Sequence, residues 1–153
     1  MSILNKIRDA KLQRLGEAKA RVSLRELMAM ALDTAPTRGL AGAIRRDKNT
    51  PINLIAEIKH ASPSKGVISN DFDHLAIAKV YDNLPVRAIS VLTEEDFFQG
   101  SAQILRDVKA IVSKPVLRKD FIFEEYQIYD CLLYTSDAAD DLLCVDLGGR
   151  RII

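Results

Sequence analysis

The chain has 153 residues, of which 48% are hydrophobic and 28% are charged, and its formal net charge is +1. A chain of this length can bury a core, its low net charge gives no general attraction to nucleic acid or membrane surfaces, and no apolar run approaches the roughly 18 residues of a membrane span. The N-terminus lacks the apolar core of a secretion signal, and two cysteines (Cys131 and Cys144) are too few for a disulfide framework or a metal site, so we expect a cytoplasmic protein.

The first 50 residues are predicted to form a helical extension. An amphipathic helix over residues 2–22 would use the apolar positions Ile3, Ile7, Ala10, Leu12 and Leu15. Ser23 and Glu26 have the spacing of a capping box, which starts a second helix through Leu32. A short third helix is predicted within residues 38–46. A solvated basic lead-in is the alternative for the whole segment.

A buried strand that ends in an acid and a base is the most informative stretch of the chain. Leu54 to Ile58 is short, apolar and bounded by turn residues, which predicts a strand. Because strand side chains alternate, Glu57 and Lys59 point to the same face. Such a pair is costly at the end of a buried strand unless it is well partnered, so it is either a structural salt bridge or part of a functional site.

A helix and a second strand are predicted next. Asp71 and Asp73 supply carboxylates for the helix N-terminus. The residues expected on the buried face of this helix are Leu75, Ile77, Ala78 and Tyr81. The second strand is predicted over Val86 to Leu92, which is again short and apolar.

A third strand lies between two further predicted helices. Ser101 is a candidate N-cap for a helix. The residues expected to face inward from it are Ile104, Leu105, Val108, Ile111 and Val112. The strand covers Val116 to Lys119, and Glu124 and Glu125 suit the first turn of a helix that runs through Leu132. Strands that alternate with helices in this way predict parallel βαβ units and an α/β fold.

Three blocks at the predicted strand ends closely resemble the indole-3-glycerol phosphate synthase family. They are Ala-Glu-Ile-Lys at 56–59 with Ser-Pro-Ser-Lys-Gly at 62–66, Ile-Ser-Val-Leu-Thr-Glu at 89–94 with Phe-Phe-Gln-Gly-Ser at 97–101, and Pro-Val-Leu-Arg-Lys-Asp-Phe at 115–121 leading to Gln-Ile-Tyr at 127–129. The resemblance runs from the N-terminus to about Cys131. In such barrels, functional groups lie where strands end and βα loops begin, which is where all three blocks fall.

The resemblance implies part of a (β/α)₈ TIM barrel. Residues 1–50 would be the N-terminal helical extension, and residues 51–131 would be the first three βα units. A complete barrel typically needs about 250 residues, so the chain is expected to hold a barrel truncated after about three βα units. Residues 132–153 do not match the family, and we interpret them as foreign sequence or an unusual native C-terminus.

The activity implied by the resemblance is that of a carbon–carbon lyase in tryptophan biosynthesis. The family closes a ring in 1-(2-carboxyphenylamino)-1-deoxyribulose 5-phosphate, releases carbon dioxide and eliminates water to form indole-3-glycerol phosphate. The implied partner is therefore a small phosphorylated molecule and not a nucleic acid or a membrane, and neither a metal nor an organic cofactor is implied.

The resemblance also assigns roles to six residues. Lys119 would be the general acid, Lys59 would hold the substrate carboxylate, and Glu57 would position these lysines by its charge. The implied substrate-binding residues are Ser62, Phe98 and Phe121. From the residues alone, a lysine at a strand end beside an aromatic ring can be partly desolvated, which suits proton transfer, whereas pairing with a carboxylate is the alternative. For the two aromatic residues, the alternative is ordinary core packing.

Other functions are less well supported by the sequence. No position matches the family's second catalytic glutamate, its asparagine or its phosphate-binding loops, so we expect the isolated chain to be inactive. One alternative is an inactive half-barrel that acts as an association module, because open sheet edges favour association. A phosphoribosylanthranilate isomerase-like protein is disfavoured by the Glu-x-Lys-x-x-Ser-Pro-Ser block. His60 and His74 are isolated, and we expect surface or loop positions for both.

Overall fold

The computed structural model describes residues 2–45 and 52–134 of the chain. Three helices come first, namely α1 (Ile3–Arg21), α2 (Leu24–Leu32) and α3 (Leu40–Ile44). The elements that follow are β1 (Ile55–Ile58), β2 (Ala61–Ser62), β3 (Gly66–Val67), α4 (His74–Asn83), β4 (Ala88–Leu92), α5 (Ala102–Ile111), β5 (Val116–Lys119) and α6 (Glu125–Tyr134). The predicted order of elements is confirmed, apart from the additional β2–β3 hairpin. We predicted that residues 132–153 are foreign sequence or an unusual native C-terminus. Residues from 135 onward lie outside the described ranges.

The three longer strands form one parallel sheet in the order β1-β4-β5. Glu57 of β1 is in register with Ser90 of β4, which is in register with Leu117 of β5. Within residues 52–134 the sheet is open, with one unpaired edge on β1 and one on β5. This arrangement confirms the predicted α/β class, and an open parallel sheet of three strands is consistent with a barrel truncated after about three βα units.

The core lies between the sheet and helices α4 and α5. Its buried members are Ile58, Ala78, Ile89, Val91, Leu105, Val108, Val112 and Val116. Since strand side chains alternate, Ile89 and Val91 face the helices, whereas Ser90 and Leu92 face the opposite side of the sheet. The prediction for Ile111 is wrong, because its side chain is 41% exposed at the C-terminal end of α5.

Helix α1 buries a narrower and more polar face than the sequence indicates. The buried positions are Ile7, Lys11 and Leu15, spaced four residues apart so that they lie on one side of the helix. Ile3 and Leu12, which were expected to face inward, are 44% and 42% exposed. Lys11 occupies the inward position because it has a buried carboxylate partner on the barrel side.

Side chains at the starts of α2, α4 and α5 accept hydrogen bonds from free backbone N–H groups, as predicted. Ser23 and Glu26 form the reciprocal capping box of α2. Asp73 accepts hydrogen bonds at the start of α4, and the Ser101 hydroxyl accepts one from the Ile104 N–H at 3.1 Å at the start of α5. These caps determine where each helix begins and therefore how the preceding strand-end loop is directed.

The two histidines are less exposed than predicted. His60 lies in a loop, as expected, but its ring stacks on Phe72 with 4.5 Å between centroids. His74 begins α4, and its Nε2 lies 3.2 Å from Asp107 Oδ2. Both residues are half-buried.

No helix within residues 2–45 and 52–134 is long and apolar enough to cross a membrane.

Candidate active site

A cleft of about 380 Å³ lies at the carboxyl ends of β1, β4 and β5. Its lining residues are Glu57, Lys59, Leu92, Phe98, Lys119, Asp120 and Phe121. The carboxyl ends of parallel strands meet at one edge of a sheet, which is where barrel enzymes place their functional groups. Five of the six residues predicted for the site therefore come together, and Ser62 is the exception.

Glu57 and Lys59 form an ion pair on the wall of the cleft. Glu57 Oε1 accepts a hydrogen bond of 2.7 Å from Lys59 Nζ. The two side chains are 34% and 33% exposed, so they are paired and still reachable from solvent. A ligand anion could therefore reach the Lys59 ammonium without displacement of other side chains.

Lys119 lies at the end of β5, in register with Leu92 of β4. From the residues alone, its ammonium could be partly desolvated beside an aromatic ring or paired with a carboxylate. The side chain is instead exposed, because the described cleft is open to solvent above the strand ends. In this structure the lysine presents a solvated cation to the cleft.

Phe98 and Phe121 form an aromatic wall of the cleft. Their ring centroids are 6.2 Å apart, and the ring planes are inclined by 43°. This tilted arrangement is typical of favourable aromatic pairs. The rings come from different loops, one after β4 and one after β5, and both are half-buried.

Ser62 does not line the cleft. It lies in the β2–β3 hairpin, where its hydroxyl is 3.5 Å from the Ser64 hydroxyl and accepts a 3.3 Å hydrogen bond from the Lys65 N–H. The hydroxyl is thus used within its own turn. The hairpin nevertheless adjoins the site, because the Ala61 N–H donates to the Phe98 carbonyl at 3.1 Å.

Asp120 lines the cleft, although sequence reasoning did not select it. Its side chain is 1% exposed, and its oxygens accept hydrogen bonds from Lys11 Nζ (2.9 Å), Thr93 Oγ1 (2.7 Å) and the Phe121 N–H (2.8 Å). Arg118 Nη2 lies 3.2 Å from Asp120 Oδ2. The signal in the sequence was an aspartate directly after a strand, but one of its partners, Lys11, lies in the distant helix α1.

Electrostatics keep this buried network charged. Burial alone would raise the pKa of Asp120, but the nearby charges of Arg118 and Lys11 hold that pKa below its usual range. Burial likewise opposes the charge of Arg118, whereas the carboxylates of Asp120 and Asp130 raise its pKa above the usual value. Asp130 Oδ2 accepts a 2.7 Å hydrogen bond from Arg118 Nη1. Asp120 is therefore an anion that connects α1 to the end of β5.

The cleft combines two ammonium groups, two carboxylates and two aromatic rings. Ammonium groups bind carboxylates by charge-assisted hydrogen bonds, and tilted aromatic walls accept flat rings. The geometry is thus suited to a ligand that carries an aromatic ring and an acidic group. The ammonium of Lys119 is also placed to supply a proton to an atom of that ligand.

Comparison with known proteins agrees with this geometry. A family model described as indole-3-glycerol phosphate synthase matches residues 4–147. The match includes part of the segment 132–153, which we expected to differ from the family. The boundary and the origin of that segment remain predictions.

Several curated relatives carry the same name as the family model. An indole-3-glycerol phosphate synthase of Neisseria meningitidis serogroup C is 47% identical over 138 residues, which cover 89% of this chain and 53% of the relative. One of Thermoanaerobacter sp. is 54% identical over 101 residues, covering 66% of this chain and 38% of the relative. The chain spans about half the length, or less, of these relatives. Because the family model matches most of its residues, the chain belongs to the indole-3-glycerol phosphate synthase family.

Proposed function

We propose that this chain contributes the strand-end half of an active site that converts 1-(2-carboxyphenylamino)-1-deoxyribulose 5-phosphate to indole-3-glycerol phosphate. The observation that carries the proposal is the convergence of Lys59, Lys119 and the Phe98–Phe121 pair on one cleft. The substrate named by this reaction has an aromatic ring with a carboxylate, which matches those features. The reaction is carboxy-lyase chemistry, which is the family's class.

Lys119 is proposed as the general acid. In ring closure, the aromatic carbon that bears the carboxylate attacks the ketone carbon, and the carbonyl oxygen takes a proton. Carbon dioxide then leaves and its bonding electrons restore the aromatic ring. The same acid would protonate the departing hydroxyl so that it leaves as water, while a base takes the proton lost from the neighbouring carbon. An exposed ammonium at the end of β5 can exchange protons with solvent between these steps.

Lys59 and Glu57 are proposed to act as a unit. Lys59 would hold the substrate carboxylate, and Glu57 would direct the lysine side chain through their 2.7 Å hydrogen bond. Charge-assisted contacts of this kind are stronger than neutral ones, which favours recognition of an acidic group. Ser62 is retained as a predicted substrate-binding residue, and it would need to exchange its hydrogen bond within the hairpin for one to the ligand.

We also propose that the 153-residue chain alone does not turn over substrate. The matched part of this chain covers only 53% of the relative from Neisseria meningitidis, and barrels commonly bind phosphate at the loops of their seventh and eighth strands. In the described cleft the carboxylates of Glu57 and Asp120 are already paired with cations, so we propose that the base for the dehydration step comes from outside residues 2–45 and 52–134. The proposed partner is a small phosphorylated molecule in the cytoplasm.

Two assays test these proposals on the 153-residue chain. Anthranilate, a fluorescent aromatic carboxylate without a phosphate, should bind the cleft and change its fluorescence on titration. Absence of binding by the folded chain would contradict the proposed recognition of the ring and carboxylate. An assay for indole-3-glycerol phosphate fluorescence should show no product, and turnover by the isolated chain would contradict the proposed inactivity.

An association module remains a second candidate, favoured by one observation. Leu54 and Ile55, at the start of β1, are 56% and 42% exposed beside the unpaired edge of that strand. Exposed apolar edge strands favour pairing between chains. Size-exclusion chromatography with light scattering should then give a mass above 17.0 kDa that depends on concentration. A monomer at all concentrations would contradict this candidate.

A further inference from the structure

The turn that follows β4 is closed around a fully buried carboxylate. The Glu94 side chain has 0% exposure, and its Oε1 accepts a 3.1 Å hydrogen bond from the Asp96 N–H. Its Oε2 accepts hydrogen bonds from the N–H groups of Phe97 at 2.8 Å and Phe98 at 3.0 Å. Among the ion pairs of residues 2–45 and 52–134, none includes Glu94. Backbone donors therefore compensate the burial of this charge.

The end of this turn, at Gln99 and Gly100, is tightly packed against the end of β4. The Gly100 N–H donates to the Glu94 carbonyl at 2.8 Å. A Cβ atom at Gly100 would lie 2.3 Å from the carbonyl oxygen of Leu92, so a larger residue cannot replace this glycine without movement. Gln99 has a φ of 53°, in the left-handed region that residues with a side chain adopt at a cost. The turn is thus a compact unit built around Glu94.

Phe98 is held by its backbone on both sides. Its N–H donates to Glu94, and its carbonyl accepts the 3.1 Å hydrogen bond from Ala61 in the hairpin after β1. Its ring lies 6.2 Å from that of Phe121 and lines the cleft. The position of the ring therefore depends on the position of its amide, which Glu94 determines.

We propose that Glu94 is a positioning residue for Phe98. It does not touch the cleft; it acts by keeping the Phe98 backbone where the ring completes the aromatic wall. A carboxylate is needed because it accepts all three amide hydrogens, whereas a glutamine would turn its own NH₂ group toward at least one donor. This inference rests on the proposed function at one point, namely that the Phe98–Phe121 wall binds the aromatic ring of the ligand.

The test compares Glu94→Gln with the unaltered 153-residue chain, both labelled with fluorophenylalanine and studied by NMR. The Phe98 fluorine resonance, assigned with Phe98→Leu, should shift in Glu94→Gln. Hydrogen exchange of the Asp96, Phe97 and Phe98 amides should become faster, by about tenfold for an amide that loses its acceptor, because the glutamine offers a single neutral oxygen in place of the carboxylate. An unchanged resonance and unchanged exchange in folded Glu94→Gln would overturn the proposal.

The matched control is Glu95→Gln. This neighbouring carboxylate is 38% exposed and accepts none of the three amide hydrogen bonds. Its replacement should leave the Phe98 resonance and the amide exchange as they are. Equal changes in both variants would overturn a specific role of Glu94, because they would reflect general loosening of the turn.

A measurement on the unaltered chain decides the case if Glu94→Gln does not fold. Scalar couplings across hydrogen bonds should connect the amide nitrogens of Phe97 and Phe98 with the side-chain carboxyl carbon of Glu94. Their presence supports the proposal, and their absence overturns it.

Anthranilate titration separates this proposal from the proposed function. Glu94→Gln should bind anthranilate about tenfold more weakly, since the ring that completes the wall is displaced. Unchanged affinity would overturn the positioning role. If the unaltered chain does not bind anthranilate at all, the proposed function fails, while the fluorine and exchange data still decide whether Glu94 positions Phe98.

Discussion

Lys11 in the middle of α1 donates to Asp120 at the end of β5, across 109 positions of sequence. The ammonium lies 2.8 Å from Oδ1 and 2.9 Å from Oδ2, and the side chains are 8% and 1% exposed. This contact connects the N-terminal extension to a residue that lines the candidate active site. It also explains why α1 can turn a charged residue inward, because the Lys11 ammonium is paired with the Asp120 carboxylate at the end of β5.

Replacing Lys11 with methionine is expected to destabilise the chain. The variant leaves part of the buried Asp120 charge uncompensated, and breaking one partner of a buried pair costs about 3 kcal/mol. Urea unfolding followed by circular dichroism should show this as a lower midpoint. The control is Lys6→Met, on an exposed position of the same helix, which should change the free energy of unfolding by less than about 0.5 kcal/mol. Equal stabilities of the two variants would contradict the buried contact.

The stability of the chain should depend on pH through Asp120. Arg118 and Lys11 hold its folded pKa below the value of about 3.9 expected in the unfolded chain, even though burial opposes this. The folded state then binds fewer protons, so this contribution is fully present above about pH 4 and is lost as the pH falls toward the folded pKa. When the pH is lowered from neutral to acidic, the urea midpoint of unfolding should decrease less in Asp120→Asn than in the unaltered chain. A parallel fall in both would contradict the prediction.

Alanine should have opposite effects at two glycines. In Gly100→Ala the new Cβ meets the Leu92 carbonyl oxygen at 2.3 Å, and such overpacking typically costs about 1–3 kcal/mol. Gly16 lies inside α1 with no atom within 4 Å of a Cβ, so Gly16→Ala should stabilise the chain by about 1 kcal/mol. Thermal unfolding of both variants checks the signs. A neutral Gly100→Ala would show that the turn after β4 can move away freely.

Two cleft lysines should be needed for binding of an aromatic carboxylate. Lys59→Met and Lys119→Met should each weaken anthranilate binding about tenfold, the effect of losing a hydrogen bond to a charged group. Binding should also weaken at high salt, because both side chains are partly or largely exposed to solvent. Lys65→Met is the control, since Lys65 is exposed on the nearby hairpin and does not line the cleft. Loss of binding in the control alone would place the ligand elsewhere.

Local chemistry in the sequence was sufficient for the order and type of most elements. The capping pair Ser23–Glu26, the cap Ser101 and the strand 116–119 were predicted where the structure has them. Each of these depends on hydrogen bonds or side-chain alternation within a few residues, which the sequence displays directly. The shared face of Glu57 and Lys59 followed from side-chain alternation, their strand-end position and that of Lys119 followed from the ends of the short strand segments, and the family resemblance assigned the roles.

Tertiary structure alone decided which side chains meet. From the sequence, Lys11 is expected to face solvent, but in the fold its ammonium pairs with the buried Asp120 carboxylate. Ile111 is expected to lie in the core, but it is exposed at the end of its helix. The hydroxyl of Ser62 is used within its own turn, and Glu94 is buried by amides that follow it in a particular turn conformation. Such contacts depend on how distant segments are arranged and on specific backbone angles. Periodicity and composition could therefore indicate the charged residues of the cleft, but not the buried carboxylates of Asp120 and Glu94 that support the residues lining it.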